Sequence, residues 1–425
     1  MYYKLYMSRI EKIIARPILN SKGDFTIEAI AYTENAHTIK ASIPAGTSTG
    51  TKEAKYTDIH TAINTIMNKL ANKFIELVNN NIPLKNWHEY LKSLDNSEDK
   101  HVLGANVFLV MEVLYLKSLA VISNKSLYTI INQEARLILS KDLQNDYPTP
   151  LFNIINGGLH AYTTIPFQEF WVIPTGIPNT SQKILAGVKI YHKLKELLKK
   201  HGYSTLTGLE GGFAPNFPGG ITEALDMISK AVEEAGYSTQ TQIKFGIDAA
   251  ATNFSVLENK TFTYKLYSSK PPINHDEYLK FWNQILDTYP LILVEDPLHE
   301  QAPFAIWEEF LQITKQHNAF LIGDDLTVTS PSIIQNAIKA NAINGAILKP
   351  NQIGSVVETI QAFNVLEQNN ATSIVSHRSG ETNDAFITDL AVALATNYLK
   401  AGAPAHGERV TKYNRLLEIE LELGL

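Results

Sequence analysis

The chain has 425 residues and a formal net charge of −6 at pH 7; 44% of its residues are hydrophobic and 19% are charged. These values are ordinary for a soluble globular protein, and the length suffices for two or three domains. The slight acidity and the lack of a basic tract argue against a nucleic-acid partner. The chain contains no cysteine, which excludes disulfides, thiolate nucleophiles and zinc–thiolate sites.

The N-terminal third predicts strands followed by helices. Residues 8–44 alternate between apolar and polar side chains around FTIEAIAY and HTIKASIP, which predicts antiparallel strands in a meander. The small polar loop at residues 44–54 is either a connector or a lid that closes on a ligand. From residue 59 to about residue 139, apolar residues recur at spacings of three and four, which predicts helices.

The most apolar segment is residues 107–122. It contains Glu112 and Lys117 and is too short to span a bilayer, so we predict a buried helix there. The first residues of the chain lack the apolar core of a signal peptide. We therefore expect a cytoplasmic protein without a membrane partner.

A polar segment with two prolines at residues 140–150 predicts a boundary between an N-terminal domain, residues 1–142, and a catalytic domain, residues 143–425. Beyond it, apolar runs repeatedly stop on a charged side chain. Buried parallel strands do this when their carboxyl ends reach the active-site face of a β/α barrel. The intervals fit a strand, a helix and two loops. The side chains at these predicted ends belong to Asp248, Glu295, Asp324, Lys349 and His377.

Three of these strand ends carry carboxylates, namely Asp248, Glu295 and Asp324. Carboxylates in one barrel mouth repel each other, so a cation is expected between them. Oxygen ligands without cysteine or histidine favour Mg²⁺ over zinc. A single aspartate after a strand more often caps the next helix, but three in sequence favour a metal site.

Two lysines are placed to act beside this site. Lys349 follows one apolar run, and Lys400 is predicted to end the last strand. A free lysine has a pKa of about 10.4 and is a poor base at neutral pH. A divalent cation close by, together with a second lysine, would bring the pKa of one lysine towards roughly 7–8, the range that suits a general base.

Glu169 and Glu210 suggest a proton donor. If their carboxylates face each other, repulsion raises the pKa of one of them, whereas either one alone is more simply interpreted as a solvated loop residue. His160 lies in a glycine-rich loop, where a single histidine is more often incidental. The tripeptide of residues 377–379 contains Arg378, whose planar fork of donors suits a phosphate.

Ten stretches occur in order along the chain: PAGTSTG, LGAN, NIINGGLHA, QEF, EGGFAPN, VEDP, DDLTVT, LKPNQIG, SHRSGET and KAGAP. Together they closely resemble the enolase family, the glycolytic phosphopyruvate hydratases, over nearly the whole chain. The resemblance implies an α/β fold, with a C-terminal enolase-type β/α (TIM-like) barrel. An α+β N-terminal domain with a three-stranded antiparallel meander and helices would precede the barrel.

The resemblance also implies an activity and an assembly. The activity is a Mg²⁺-dependent, reversible dehydration of 2-phospho-D-glycerate to phosphoenolpyruvate, carried out by a homodimer or a higher oligomer. Asp248, Glu295 and Asp324 would bind the tighter of two Mg²⁺ ions. Ser48, in the loop at residues 44–54, would help to hold the second ion, which arrives with the substrate phosphate.

The remaining roles follow from the same resemblance. Lys349 would remove the carbon-bound proton, and Lys400 and the metals would stabilise the doubly charged enolate. Glu210, supported by Glu169, would help hydroxide to leave as water. The other implied site residues bind the substrate phosphate or close the pocket around the substrate; they are Arg378 and Ser379 for the phosphate, and His160, Gln168 and His377 around the pocket.

Three stretches depart from the family pattern. NSKGDF at residues 20–25 replaces Asp-Ser-Arg-Gly-Asn-Pro, which bears on the dimer contacts. Leu209 replaces an acidic residue before Glu210 and is expected to alter the pKa of that acid. A His-Gly pair at residues 406–407 replaces Arg-Ser. Two alternatives stay open: an enolase-like lyase that acts on a phosphonate or a related analogue, and a binding or structural protein that uses the scaffold without turnover.

Overall fold

A computed structural model describes residues 8–46, 50–144, 146–258, 261–267 and 270–424. The N-terminal part opens with the predicted meander, a three-stranded antiparallel sheet in the order β1–β2–β3. Its strands are β1 (Ile10–Leu19), β2 (Phe25–Thr33) and β3 (Thr38–Ser42). Buried and exposed residues alternate along β3, because one face of the sheet packs on the helices that follow.

Five helices follow the sheet, in the region where the sequence predicts helices. They are α1 (Ile59–Thr65), α2 (Ala71–Asn79), α3 (Leu84–Leu94), α4 (Ala105–Ser123) and α5 (Leu127–Leu139). A π-helical segment, Ile66–Leu70, joins α1 to α2.

Helix α4 confirms the predicted buried helix but is longer than predicted. In the part of the chain that the structure describes, it is the one helix long and apolar enough to cross a membrane, and 89% of its most apolar window is buried inside the protein. It packs against β2 and β3 on one side and contacts the barrel helices α11 (Pro350–Ile353) and α12 (Val356–Gln368) on the other. Its apolar surface is therefore covered by protein.

The C-terminal part is built around a closed barrel of eight strands, which confirms the predicted barrel. Around the barrel the order is β4, β5, β6, β10, β11, β12, β13 and β14, and β14 pairs with β4. The barrel strands are β4 (Thr149–Asn156), β5 (Glu169–Ile173), β6 (Lys244–Asp248), β10 (Leu291–Glu295), β11 (Phe320–Gly323), β12 (Gly345–Leu348), β13 (Thr372–Ser376) and β14 (Tyr398–Lys400). A small sheet lies outside the barrel, formed by β7 (Ser255–Glu258), β8 (Thr261–Tyr264) and β9 (Ile273–Asn274).

Helices surround the barrel, and capping side chains fix several of their starts. Ser330 accepts a hydrogen bond from Ile333 N at the start of α10, and Ser355 accepts one from Glu358 N at the start of α12. The helices besides α11 and α12 are α6 (Thr180–Lys200), α7 (Ile221–Glu234), α8 (His275–Thr288), α9 (Phe304–Gln316), α10 (Pro331–Lys339), α13 (Phe386–Ala393) and α14 (Gly407–Glu422).

The barrel interior is a packed apolar core rather than a channel. Its side chains come from seven positions on the barrel strands and are fully buried. They are Leu151, Trp171, Ile173, Leu293, Ile322, Ile347 and Ile374.

One strand corrects the sequence prediction of an all-parallel barrel. β5 runs antiparallel to both of its neighbours, β4 and β6. A parallel neighbour needs a crossover, usually through a helix, but the connection between β4 and β5 contains only the short 3₁₀ turn Gly158–His160. The chain therefore reverses as a hairpin. Because β5 is reversed, its first residue, Glu169, pairs with Asp248 and lies at the carboxyl ends of the parallel strands.

A buried carboxylate joins the N-terminal part to the barrel. Glu112, on α4, accepts hydrogen bonds from Val356 N at 2.6 Å and from Ser355 Oγ at 3.0 Å, at the start of α12. His88 Nδ1, on α3, lies 2.7 Å from the other oxygen of the same carboxylate. Glu112 is completely buried and His88 is 4% exposed. A negative charge at a helix N-terminus is favourable, because the first N–H groups of the helix have no intrahelical partner.

We expect Glu112→Ala to lower the free energy of unfolding by roughly 3–5 kcal/mol, because it leaves buried donors without their acceptor. Denaturant unfolding monitored by circular dichroism measures the change. Glu89→Ala, on the exposed side of α3, is the matched control and should leave the transition unchanged. Equal stabilities for the two variants would contradict the structural role of Glu112.

Candidate active site

The charged residues predicted at strand ends meet at one end of the barrel. Asp248, Glu295 and Lys400 are the last residues of β6, β10 and β14. Asp324 and Lys349 directly follow β11 and β12. The barrel thus brings together the residues that the sequence assigns to a metal and to a base.

Lys400 lies at the centre of this group. Its Nζ is 2.9 Å from both carboxylate oxygens of Glu295, 3.1 Å from Glu169 Oε1 and 3.5 Å from Asp248 Oδ2. The same ammonium lies 4.6 Å from the ring centre of Trp171. Burial disfavours the charged form, but Glu169 and Glu295 outweigh burial and hold the pKa of Lys400 well above its usual value.

Lys349 forms an ion pair with Asp324, through Nζ and Oδ2. Burial alone would lower the pKa of Lys349, but the charge of Asp324 outweighs it and raises the pKa. Burial likewise raises the pKa of Asp324, and the two lysines of the site more than offset it, so that the pKa is lowered to about 2. The lowered lysine pKa predicted from the sequence requires a divalent cation beside the lysine and stays a prediction; the ion pair with Asp324 acts in the opposite direction.

The predicted metal ligands Asp248, Glu295 and Asp324 face one mouth, but lysine ammonium groups lie between them. Burial raises the pKa of Asp248 to about 8, and burial followed by repulsion from Asp248 raises that of Glu295 well above its usual range. A bound cation would stabilise the ionised form of carboxylates that are buried and repel each other. The donor set is rich in oxygen and lacks sulfur, so it fits a hard cation such as Mg²⁺.

Among the described residues, two groups have potential ligand atoms within 4.8 Å of one another. One group is His160, Glu169 and Glu210, and the other is Asp296, Asp324 and Asp325. Only Asp324 belongs to the predicted trio. Asp296 already accepts hydrogen bonds from the backbone N–H groups of Asp324 and Asp325, at 3.0 and 2.6 Å, so it holds the turn after β11.

The group of His160, Glu169 and Glu210 forms the other side of the mouth. His160 Nδ1 lies 3.5 Å from Glu210 Oε1 and 3.8 Å from Glu169 Oε1, and His377 Nε2 lies 3.3 Å from Glu210 Oε2. Asn153 donates to Glu210 at 3.0 Å. The predicted pair of facing glutamates is thus present, with a histidine between them.

The pKa of Glu210 does not shift in the direction that repulsion between the two glutamates would produce. Burial raises it, but the charges of His160, His377 and then Arg409 outweigh burial and hold the pKa well below its usual value. Repulsion from another glutamate is therefore not what controls Glu210. Burial lowers the pKa of both histidines.

Arg409 organises the loop that follows β13. Its side chain is fully buried and donates to the carbonyl oxygens of Arg378 and Ser379 at 2.6 and 2.7 Å. It also contacts His377 Nδ1 at 2.5 Å. Because a guanidinium only donates, Nδ1 must accept, and Nε2 carries the ring proton that faces Glu210. Nothing in the sequence singled out Arg409, since it lies on a helix and far along the chain.

The predicted phosphate residue Arg378 is paired with Glu53. Two guanidinium nitrogens contact the two carboxylate oxygens at 3.1 and 3.0 Å, and Nη1 also contacts Asn351 Oδ1 at 3.2 Å. Ser379 follows in the same loop and is buried. Both residues thus lie at the mouth, and Glu53 joins them as a residue that the sequence did not single out.

The described ends of the loop at residues 44–54 reach this mouth from the N-terminal part. Ala45 and Gly380 exchange backbone hydrogen bonds at 2.8 and 2.9 Å, and Ala54 N donates to Gln352 O at 2.8 Å. The predicted metal residue Ser48 lies outside the described residues. The described ends of the loop are therefore anchored beside the phosphate loop and α11.

Two departures from the family pattern lie close to the site. The turn at residues 20–25 contacts the loop after Arg378, since Ser21 N donates to Glu381 O at 2.7 Å and Ser21 Oγ donates to Ser379 O at 3.1 Å. Leu209 contributes its backbone, with N bonded to His160 O and O bonded to Arg409. Both segments therefore contact the mouth, the turn through Ser21 and Leu209 through its backbone.

In the described part of the chain, several buried polar atoms at the mouth lack a well-aligned hydrogen-bond partner, among them His160 Nδ1, Gln168 Oε1 and His377 Nε2. Gln168 is fixed by its amide nitrogen, which donates to Asp248 Oδ2 at 3.2 Å. Buried polar atoms normally find a partner, and a bound polar substrate would supply one.

Matches to known proteins cover almost the whole chain. Residues 144–425 match the family described as "Enolase, C-terminal TIM barrel domain", and residues 10–131 match "Enolase, N-terminal domain". The chain is 36% identical over 423 residues to a protein named Enolase from Legionella pneumophila (strain Corby), with 96% of each chain covered. It is 35% identical over 427 residues to a protein named Enolase from a Nitratiruptor species, with 98% of this chain and 97% of the relative covered.

Proposed function

Because this chain belongs to the enolase family, and is a carbon–oxygen lyase of the phosphopyruvate hydratase type, we propose that it interconverts 2-phospho-D-glycerate and phosphoenolpyruvate with Mg²⁺. The forward reaction removes a proton from carbon 2 and hydroxide from carbon 3. It needs a base, a proton donor, and positive charge to stabilise the intermediate.

One observation carries the proposal. Lys400 contacts Glu169 on the side of the mouth that holds Glu210, and it contacts Glu295 and Asp248 on the side that holds Asp324 and Lys349. The residues that we propose as base, proton donor and metal ligands therefore lie together in one buried mouth. A protein that only binds its ligand has no use for this combination.

We propose that Lys349 Nζ accepts the proton from carbon 2 and that Lys400 stabilises the charge that develops on the substrate carboxylate. The leaving hydroxide takes a proton from the group formed by Glu210, His160 and His377, and departs as water. Glu169 supports this group from β5. Because both histidines have a ring nitrogen within 3.5 Å of a Glu210 oxygen, the proton can be held by the group rather than by one carboxylate.

Asp248, Glu295 and Asp324 would hold the first Mg²⁺, and Ser48 would contribute to a second one that arrives with the substrate. When bound, the two ions would supply positive charge that stabilises the enolate. A cation that competes with Lys349 for Asp324 would also remove the charge that raises the Lys349 pKa. Lys349 could then lose its proton and act as the base.

Arg378 and Ser379 would bind the substrate phosphate. We expect Arg378→Gln to lower kcat/KM about 10- to 100-fold, because a hydrogen bond between charged groups contributes roughly 1.5–3 kcal/mol. Most of the loss should appear in KM, and Arg378→Lys should recover only part of it, since lysine keeps the charge without the planar fork. Steady-state kinetics with 2-phosphoglycerate measures both variants. An unchanged KM in Arg378→Gln would place the phosphate elsewhere.

The decisive experiment is phosphoenolpyruvate formation from 2-phosphoglycerate, followed by absorbance, with Mg²⁺ and then with excess chelator. We expect robust turnover that chelator abolishes and added Mg²⁺ restores. A folded protein that binds Mg²⁺ without turnover would contradict the proposed substrate. Phosphonate analogues, assayed in parallel, would then identify an altered specificity.

We further propose a cytoplasmic homodimer that acts in glycolysis, with a domain boundary between residues 142 and 143. Leu19 and Phe25 lie opposite each other at the end of the β1–β2 hairpin and are 60% and 66% exposed, as expected for residues that a second subunit covers. Sedimentation velocity should give the mass of two chains. A single species with the mass of one chain at micromolar concentration would disprove the dimer.

A further inference from the structure

Two uncharged residues connect the proposed base to a proposed metal ligand. Thr329 Oγ1 accepts a hydrogen bond from Lys349 N at 2.9 Å and donates one to Gln352 Oε1 at 2.7 Å. The amide nitrogen of Gln352 then donates to Asp324 Oδ1 at 2.9 Å. The hydroxyl of Thr329 and the amide of Gln352 thus form one continuous chain of hydrogen bonds between Lys349 and Asp324.

Within this series of hydrogen bonds, each group has only one possible role, as donor or as acceptor. Lys349 N can only donate, so Thr329 Oγ1 must use its own proton towards Gln352 Oε1. The Gln352 side chain is then oriented with its nitrogen towards Asp324. Asp324 receives this amide at Oδ1 and the Lys349 ammonium at Oδ2, so each carboxylate oxygen has its own partner.

Burial makes this chain costly to break. Thr329 is completely buried and Gln352 is 1% exposed. Removing one hydroxyl from the chain would leave Lys349 N and Gln352 Oε1 unsatisfied in a buried site. Gln352 would also lose the contact that orients it, and could no longer hold Asp324 in place.

The backbone at Thr329 is strained. Val328 and Thr329 have φ of 43° and 59°, which β-branched residues rarely adopt. Such a backbone conformation persists only where the surrounding structure determines it. This turn brings Thr329 Oγ1 within hydrogen-bond distance of the backbone N of Lys349.

We propose that Thr329 and Gln352 are positioning residues, which fix Asp324 for the cation and Lys349 for the substrate proton. This inference rests on the proposed function, because it assigns Asp324 and Lys349 the roles given there. Neither residue touches the reacting atoms. Side chains that orient metal ligands commonly change metal affinity or activity about 10- to 100-fold when they are replaced.

The test compares Thr329→Val, which keeps the shape and removes the hydroxyl, with Thr329→Ser, which keeps the hydroxyl. Thr314→Val is the matched control, because Thr314 is also completely buried and its hydroxyl donates within its own helix, to Leu311 O. The first readout is Mg²⁺ affinity, from calorimetric titration of each protein with MgCl₂ in the absence of substrate. The second is the division of any activity loss between kcat and KM.

We expect Thr329→Val to bind Mg²⁺ roughly 10- to 100-fold more weakly and to lose kcat by a similar factor, with KM close to that of the unmodified protein. Thr329→Ser should recover most of both losses, and Thr314→Val should show neither. Unchanged Mg²⁺ affinity and kcat in Thr329→Val would overturn the proposal. An equal loss in Thr329→Ser would also overturn it, because the hydroxyl would then not be the cause.

If Thr329→Val does not fold, Gln352→Met supplies the same test, since it removes the amide and retains the length of the side chain. It should weaken Mg²⁺ binding to the same extent, and unchanged binding would overturn the proposal. Failure of the proposed function gives a different pattern. The unmodified protein would then show no turnover of 2-phosphoglycerate, while the loss of Mg²⁺ affinity in Thr329→Val would still appear.

Discussion

Lys349→Ala is expected to lower turnover of 2-phosphoglycerate about 10⁴-fold, at the upper end of what a general base contributes. The substrate should still bind, because the proposed phosphate contacts lie on the loop after β13. Mg²⁺ should bind at least as tightly as in the unmodified protein, because Asp324 loses the ammonium that pairs with it. Absorbance assays give the turnover, and calorimetry gives both affinities.

Exchange of the carbon 2 proton with deuterated solvent isolates the step that Lys349 performs. Nuclear magnetic resonance of the substrate should show no exchange in Lys349→Ala. Circular dichroism serves as the control for folding. Near-normal turnover or exchange in a folded Lys349→Ala protein would remove Lys349 as the base.

Glu210→Gln is expected to lower phosphoenolpyruvate formation about 10²- to 10⁴-fold, because an amide cannot pass on the proton that hydroxide needs. The variant keeps the shape of the side chain and a hydrogen bond to Asn153. The lysine side of the mouth is unaltered, so the carbon 2 proton should still exchange with solvent. The absorbance assay measures phosphoenolpyruvate formation, and nuclear magnetic resonance measures the exchange of the carbon 2 proton.

The two variants therefore control for each other. Lys349→Ala should lose both exchange and product, whereas Glu210→Gln should lose product and retain exchange. If Glu210→Gln loses exchange as completely as Lys349→Ala, the assignment of the two groups to separate steps is wrong. If it retains normal product formation, Glu210 is not needed for departure of hydroxide.

The sequence predicted the barrel and the residues at its mouth because local patterns encode both. An apolar run that stops at Asp248 or Glu295 indicates a buried strand and the residue at which it ends. This pattern does not depend on distant residues. The meander and the buried helix followed from periodicity in the same way. These features depend on which side chains are neighbours along the chain.

The features that were missed depend on residues far apart in the sequence. The reversed direction of β5 follows from the hairpin connection, but an apolar strand has the same pattern in either direction. Arg409 donates hydrogen bonds to the carbonyl oxygens of Arg378 and Leu209, which are 31 and 200 residues away in the sequence. Thr329 is a turn residue and Gln352 lies in the short helix α11. Both lie in stretches that match the family, but both are uncharged, and nothing in the sequence assigns either of them a role.

The directions of the pKa shifts were also beyond the sequence. They are decided by the nearest charged partners, such as Asp324 for Lys349 and the histidines for Glu210. Sequence spacing brings groups to the same mouth, but it does not say which oxygen faces which nitrogen. Because Coulomb energy depends on distance and on the local dielectric, the sign of a shift needs the coordinates.

The contact between Glu112 and Val356 has a consequence for the synthesis of the protein. The two residues are 244 positions apart, so at about 5–20 residues per second the ribosome needs roughly 12–50 s to make the second after the first. During that time α4 exists without the helix that its carboxylate caps. Until α12 is made, the Glu112 carboxylate therefore lacks the backbone donor that it contacts in the folded protein.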